Sequence, residues 1–108
     1  MWVTGSPGGP RIITTVLATL INVIDYHMDI QAAVNAPRLH HQWLPDTLYA
    51  EPHALDPDTH SRLKKMGYNI SDQTATWGAA EAILINPRTG MLYGANDRCR
   101  PAGLAAGY

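Results

Sequence analysis

The residues best suited to chemistry form one run near the start, Gly5-Ser6-Pro7-Gly8-Gly9-Pro10-Arg11. Two consecutive glycines let the backbone take conformations closed to other residues, so their N–H groups can point together into a cavity. A helix is expected directly after them, and the positive end of its dipole adds to those donors. The combination suits an anion, or the negative charge that develops on an oxygen during acyl transfer. No Lys-Ser or Lys-Thr pair follows the glycines, so this is not a Walker-type phosphate loop. Ser6 does not fit as a nucleophile: Gly-Ser-Pro-Gly-Gly is not a Gly-x-Ser-x-Gly elbow, and the proline after the serine has no N–H to offer an oxyanion. A hydroxyl that holds the turn by bonding neighbouring backbone is the expected role. By itself, a Gly-Gly turn entering a helix is often a plain connection.

Other reactive side chains form no convincing group. His40 and His41 are adjacent, so on a strand they face opposite sides and cannot grip one metal together. One half-buried and one solvated histidine are expected. The nine acidic residues show no paired spacing that singles out a general acid and base, and no Ser, His and Asp stand out as a triad, which is recognised by geometry. Cys99 is the single cysteine, so no internal disulfide is possible.

The elements that must carry the glycine turn can be read from local rules. Trp2-Val3-Thr4 is a short strand running into the turn. Pro10 suits a first helical turn, and Ile13, Val16, Leu17, Leu20, Ile21 and Ile24 recur at helical spacing, widened by Ile12 and Val23. Thr14, Ala18, Asn22 and Asp25 hold the opposite face. So broad an apolar face needs a large cover, for which a sheet is the natural candidate. Asp29 caps a short helix over 30–34 that Pro37 stops. From Arg38 the chain is extended. Asp56-Pro57-Asp58 opens a third helix, with Lys64 and Lys65 at its negative end and Gly67 as its stop. Tyr68-Asn69-Ile70 reads as a strand, and Ala80 to Ala95 as a hairpin turning at Asn86-Pro87-Arg88-Thr89-Gly90. The tail from Asn96 to Tyr108 has no clear period.

At 108 residues the chain has room for one modest core, and eight Lys and Arg against nine Asp and Glu leave no basic block for a phosphate backbone. The stretch Ile12 to Ile24 is broken by Thr14, Thr15, Thr19 and Asn22 and is too short to span a bilayer. The four residues before Gly5 lack the features of a signal peptide, so the address of an exported parent protein is expected upstream.

Thr4-Gly5-Ser6-Pro7-Gly8-Gly9-Pro10-Arg11-Ile12-Ile13-Thr14-Thr15-Val16 closely resembles the γ-glutamyltransferases, also called glutathione hydrolases. Asn35-Ala36-Pro37-Arg38-Leu39-His40-His41-Gln42-Trp43-Leu44-Pro45-Asp46, Leu92-Tyr93-Gly94-Ala95 with Asp97, and Ala106-Gly107-Tyr108 continue the resemblance in family order. Two departures occur: Arg98-Cys99-Arg100 stands where the family commonly has Pro-Arg, and Glu81 where a glutamine is frequent.

The resemblance implies an α+β fold, the C-terminal part of the αββα sandwich of an N-terminal-nucleophile hydrolase. It implies that residues 1–108 are a single partial domain, a C-terminal segment of the small subunit. The catalytic groups expected here are the Gly8 and Gly9 N–H donors of the oxyanion hole. The threonine nucleophile is expected elsewhere in the small subunit, so the isolated chain is expected to be inactive. The implied partners are the remainder of the small subunit, the large subunit of the same precursor, glutathione and γ-glutamyl acceptors. No metal or organic cofactor is implied, nor nucleic acid, nor membrane contact from this segment. The implied setting is periplasmic or extracellular. Two further readings stay open: a non-catalytic α+β module binding a small carboxylate at the same turn, and a related acylase fragment for a glutaryl-type amide.

Overall fold

The computed structural model describes residues 1–99 and 103–107. Strand β1 (Trp2–Gly5) ends at the glycine turn, and helix α1 (Arg11–Ile24) starts as soon as the turn is over. Pro10 stands at the boundary with φ −63° and ψ −21°, already helical, as its locked ring favours. Helix α2 (Ile30–Asn35) is capped by Asp29, whose carboxylate accepts from the Ala32 N–H, and it stops where Ala36 turns extended before Pro37. Strands β2 (Leu39–His40) and β3 (Leu48–Ala50) precede helix α3 (Pro57–Lys65), capped by the Asp56 carboxylate on the Thr59 N–H. Strands β4 (Ile70–Asp72), β5 (Glu81–Ile85) and β6 (Leu92–Asn96) follow. The hairpin expected over Ala80 to Ala95 is β5 and β6. The strand expected at Tyr68 to Ile70 begins two residues later, and β3 carries no local signal long enough to reveal it.

Two three-stranded sheets result. One is antiparallel in the order β1-β5-β6; in the other β3 lies between β2, antiparallel to it, and β4, parallel to it. In the first sheet Thr4 pairs with Ala82, and Ala82 with Ala95, so alternation puts these on one face. That face meets α2: Ile30, Val34, Ala80, Ala82 and Ala95 form the core, with Trp2, Val23 and Leu84 packed around it. On the other face Val3, Ile83 and Leu92 remain exposed.

Helix α1 sits differently from its periodicity. Its buried residues are Thr15 and Thr19, while Ile13 is 74% exposed, Leu17 51% and Ile24 59%. Thr15, Thr19 and Asn22 follow one another at helical spacing and face inward, where Asn22 Nδ2 donates to the Ala33 carbonyl of α2. The Thr19 hydroxyl satisfies itself on the Thr15 carbonyl of its own helix, which makes its burial cheap. The small face is thus used within this chain, and the apolar stripe is turned outward. A stripe of this breadth is a surface of the kind proteins bury against a partner. Left alone, the 108-residue chain is expected to self-associate or to melt without a sharp transition. Light scattering and thermal melts at several concentrations check this; a monomer with a cooperative transition contradicts it.

Candidate active site

The glycine turn is open to solvent and its amides are unengaged. Gly8 and Gly9 have φ +132° and +59°, and both are exposed. A φ of +132° is one that L side chains rarely adopt, so Gly8 is required by the backbone itself. The carbonyls of the turn are used by the helix, Gly8 O accepting from Arg11 N–H at 3.3 Å and Gly9 O from Ile12 N–H at 3.1 Å. Among the described residues, neither Gly8 N–H nor Gly9 N–H donates to any protein acceptor. These two donors therefore stand free beside the positive end of a fourteen-residue helix, an arrangement that accommodates negative oxygen.

Ser6 does what the sequence leads one to expect of a turn hydroxyl. Its Oγ donates to the Pro7 carbonyl at 2.9 Å and accepts from the Ala79 N–H at 3.2 Å. On the helical side of the turn, the Arg11 guanidinium lies 4.8 Å above the centre of the Trp77 ring and 5.6 Å from that of Tyr49. Beneath Tyr49 stacks His40, which is buried, with Nδ1 2.8 Å from the Thr14 hydroxyl and Nε2 3.0 Å from Gln42 Oε1. His41 lies just past the end of β2, with Nε2 3.0 Å from Asp46 Oδ1; in place of the half-buried and solvated pair expected, His40 is fully buried and His41 partly exposed. No group of three His, Cys, Asp or Glu side chains is placed to hold a metal among the described residues.

Behind this lies a buried ionic cluster that spacing does not reveal. Arg38 Nη2 meets Asp97 Oδ2 at 2.5 Å, and Arg38 Nη1 is 3.5 Å from Glu51 Oε1. The same guanidinium donates to the Val34 carbonyl and, at 2.8 Å, to that of Trp77. Glu51 accepts from the backbone N–H of Arg38 at 2.9 Å and of Trp77 at 2.6 Å; Asp97 accepts from those of Cys99 at 2.9 Å and Ala80 at 3.3 Å. Two carboxylates against one guanidinium leave a surplus negative charge, and these backbone donors solvate it. Burial pushes the Asp97 carboxyl up. The bonds from Cys99, the charge of Arg38 and the Ala80 N–H outweigh it and hold Asp97 below the usual carboxylate value. The Cys99 thiol is moved the opposite way, up, by burial and by its bond to Asp97. Arg98 is exposed, and Arg100 lies outside the described residues.

A groove of about 980 Å3 between the start of α2 and the β5–β6 hairpin is lined largely by Ile30, Leu84, Ile85, Leu92 and Tyr93 and does not reach the glycine turn. It brings no acid–base pair together.

Comparison with known proteins agrees with the motif order. The family profile described as Gamma-glutamyltranspeptidase matches residues 1–107. Over 106 residues the chain is 48% identical to the glutathione hydrolase proenzyme of Escherichia coli (strain K12), a match covering 98% of this chain and 18% of that protein. A Helicobacter pylori gamma-glutamyltranspeptidase (T380A mutant) superimposes with a TM-score of 0.86 at 48% identity, over 92% of this chain and 54% of that one. The enzyme of Pseudomonas nitroreducens gives 0.83 at 39% identity, over 98% and 55%. This chain thus spans less than a fifth of the Escherichia coli relative and about half of each crystallised chain. Its α+β fold is the one expected, that of the N-terminal-nucleophile hydrolases to which these neighbours belong. Matched in profile from end to end, in sequence to proenzymes and in shape to solved members, the chain belongs to the gamma-glutamyltranspeptidase family.

Proposed function

We propose that this chain works as the C-terminal part of the small subunit of a γ-glutamyltransferase and contributes the backbone donors of its oxyanion hole. The observation that carries the reading is the pair of exposed, unengaged amides at Gly8 and Gly9, set directly before α1. In the reaction, a threonine hydroxyl from the rest of the subunit attacks the γ-carbonyl carbon of glutathione, and the carbonyl oxygen takes up the negative charge. The two N–H groups bind that oxygen more strongly than the neutral carbonyl, which lowers the barrier. Collapse of the adduct breaks the C–N bond, and the amine leaves with a proton. Water or an amino acid or peptide amine then attacks the ester and frees the threonine.

The remainder of the small subunit and the large subunit are the proposed partners of this segment. The outer edge of β1 has no neighbouring strand among the described residues, and the apolar stripe of α1 is exposed beside it. Both features support a sheet that continues beyond β1 and is covered by α1. The similarity to a glutathione hydrolase proenzyme supports a γ-glutamyl substrate over a glutaryl-type one. The periplasmic or extracellular setting expected from the resemblance is part of the same proposal; no helix among the described residues is long and apolar enough to cross a membrane.

The test is a chimera in which this chain replaces the aligned 106 residues of the Escherichia coli proenzyme. The chimera is expected to mature and to hydrolyse glutathione, and the chain alone to show no turnover. A folded, matured chimera without activity, or turnover by the pure chain, contradicts the proposal.

A further inference from the structure

We infer that the segment Trp77-Gly78-Ala79 is the positioning element of the Gly8-Gly9 turn, and that it sets the two amides separately, one through Ser6 and the other through Arg11. The inference rests on the oxyanion reading of that turn.

The carbonyl and the N–H of a trans peptide unit point in opposite directions. Whatever holds one therefore aims the other. The Pro7 carbonyl is held by the Ser6 hydroxyl at 2.9 Å, so the Gly8 N–H of the same peptide unit is turned away from Ser6. Ser6 in turn is fixed by the Ala79 N–H at 3.2 Å. The Gly8 carbonyl is held by the Arg11 N–H at 3.3 Å, so the Gly9 N–H is turned away from the helix. Arg11 is fixed by its guanidinium on the Trp77 ring, 4.8 Å from the centroid. Both lines of support end on the same three residues.

The segment is anchored independently of the turn at Trp77. Trp77 is clamped at both ends of its backbone, its N–H on Glu51 at 2.6 Å and its carbonyl on Arg38 at 2.8 Å. Gly78 has φ +82°, a conformation that L side chains rarely adopt, and it passes beside the turn, where a Cβ would meet Ser6 Oγ at 3.4 Å and Thr15 Cγ2 at 3.6 Å in ordinary contact; glycine is required here by the backbone and not by crowding. Trp77 Nε1 is buried with no hydrogen-bond partner. The indole therefore serves as a flat face and not as a donor. Ser6 touches the backbone of Pro7 and Ala79, and the side chains of Arg11 and Trp77 touch each other, which makes them positioning residues.

The experiment uses the chimera with the Escherichia coli proenzyme, carrying Ser6→Ala, Trp77→Leu or Trp77→Phe. It measures kcat and KM on a chromogenic γ-glutamyl anilide, and Ki for a γ-glutamyl boronate that takes the tetrahedral form. Active-site titration counts matured enzyme, so a folding defect lowers the number of sites and leaves kcat per site untouched. Ser6→Ala and Trp77→Leu are expected to lower kcat about tenfold to a hundredfold, as small misplacements of catalytic groups do, and to weaken the boronate in parallel. KM is expected to stay within about twofold, because the ground state does not load these donors. Trp77→Phe keeps the ring face and is expected to restore most of the loss.

A Trp77→Leu enzyme with the parent kcat overturns the inference, as does a Trp77→Phe enzyme that falls as far as Trp77→Leu. Should Trp77→Leu fail to mature, Ser6→Ala against Ser6→Thr decides on the same terms, with threonine expected to keep the hydroxyl and the rate. Gly8→Ala separates the two levels of the argument. If it lowers kcat while Trp77→Leu does not, the positioning role fails and the oxyanion reading stands; if it leaves kcat unchanged, both fail.

Discussion

Gly8→Ala in the chimera is expected to lower kcat about 10²- to 10³-fold, the usual loss when one oxyanion donor is removed, with KM changed far less. The substitution keeps the N–H but not its direction. At φ +132° an alanine is strained wherever its Cβ goes, and the nearest atom to that Cβ is the Arg11 Cβ at 3.9 Å, so the strain is torsional and the peptide must rotate. Rotation moves the amide off the oxygen. Gly9→Ala is a different experiment at the neighbouring residue. Its φ of +59° lies in the left-handed region that an L residue can enter for about 1–2 kcal/mol, and its Cβ would meet nothing within 4 Å. A smaller loss of kcat is expected there, with a modest loss of stability. Steady-state kinetics with active-site titration check both. Equal and small effects at the two positions contradict a donor role for the turn.

Arg38→Met in the same host is expected to cost about 3–5 kcal/mol of stability, the range for removing one partner of a buried ion pair. The mutation leaves Glu51 and Asp97 buried without their counter-charge and unpairs the Val34 and Trp77 carbonyls. Replacing all three charged residues by apolar ones is not expected to be neutral here. The carboxylates also accept the Trp77 and Ala80 N–H groups, which would be left buried and unbonded at about 1–3 kcal/mol each. Denaturant unfolding of the matured enzyme measures these differences. Asp97 adds a dependence on acid. Its folded pKa is held below the usual carboxylate value, so its contribution is complete above the unfolded value and is lost as pH falls through the folded one. Asp97→Asn is therefore expected to be less stable than the parent above about pH 4 and to converge with it in stronger acid. Parallel stability curves across that range would show that Asp97 is not held as a carboxylate.

What local rules control is legible in the sequence itself. Pro10 opening α1, Asp29 and Asp56 as caps, Pro37 as a stop and the β5–β6 hairpin each depend on neighbours a few residues away, and each stands where expected. The position of the glycine turn, between a strand and a helix, follows from the same rules. The orientation of α1 does not. Periodicity marks its apolar face, but whether that face is used within the chain or kept for a partner depends on what else lies in the fold, and here Thr15 and Thr19 face inward instead. Strand β3, three residues long, exists because β2 and β4 flank it, a tertiary fact. The meeting of Arg38, Glu51 and Asp97 is illegible for the same reason: they come from three separate stretches and join only once the sheets are formed. The role of Trp77 is illegible in the sequence, since nothing near it names Arg11 as its neighbour.

The central claim is that two adjacent backbone amides receive one developing oxyanion, and a crystal structure of the chimera with a γ-glutamyl boronate bound to its threonine tests it most directly. The account predicts one adduct oxygen within about 2.7–3.1 Å of both Gly8 N and Gly9 N, on the side of the turn away from α1. An adduct oxygen held by other donors, with these two amides left in water, would contradict it.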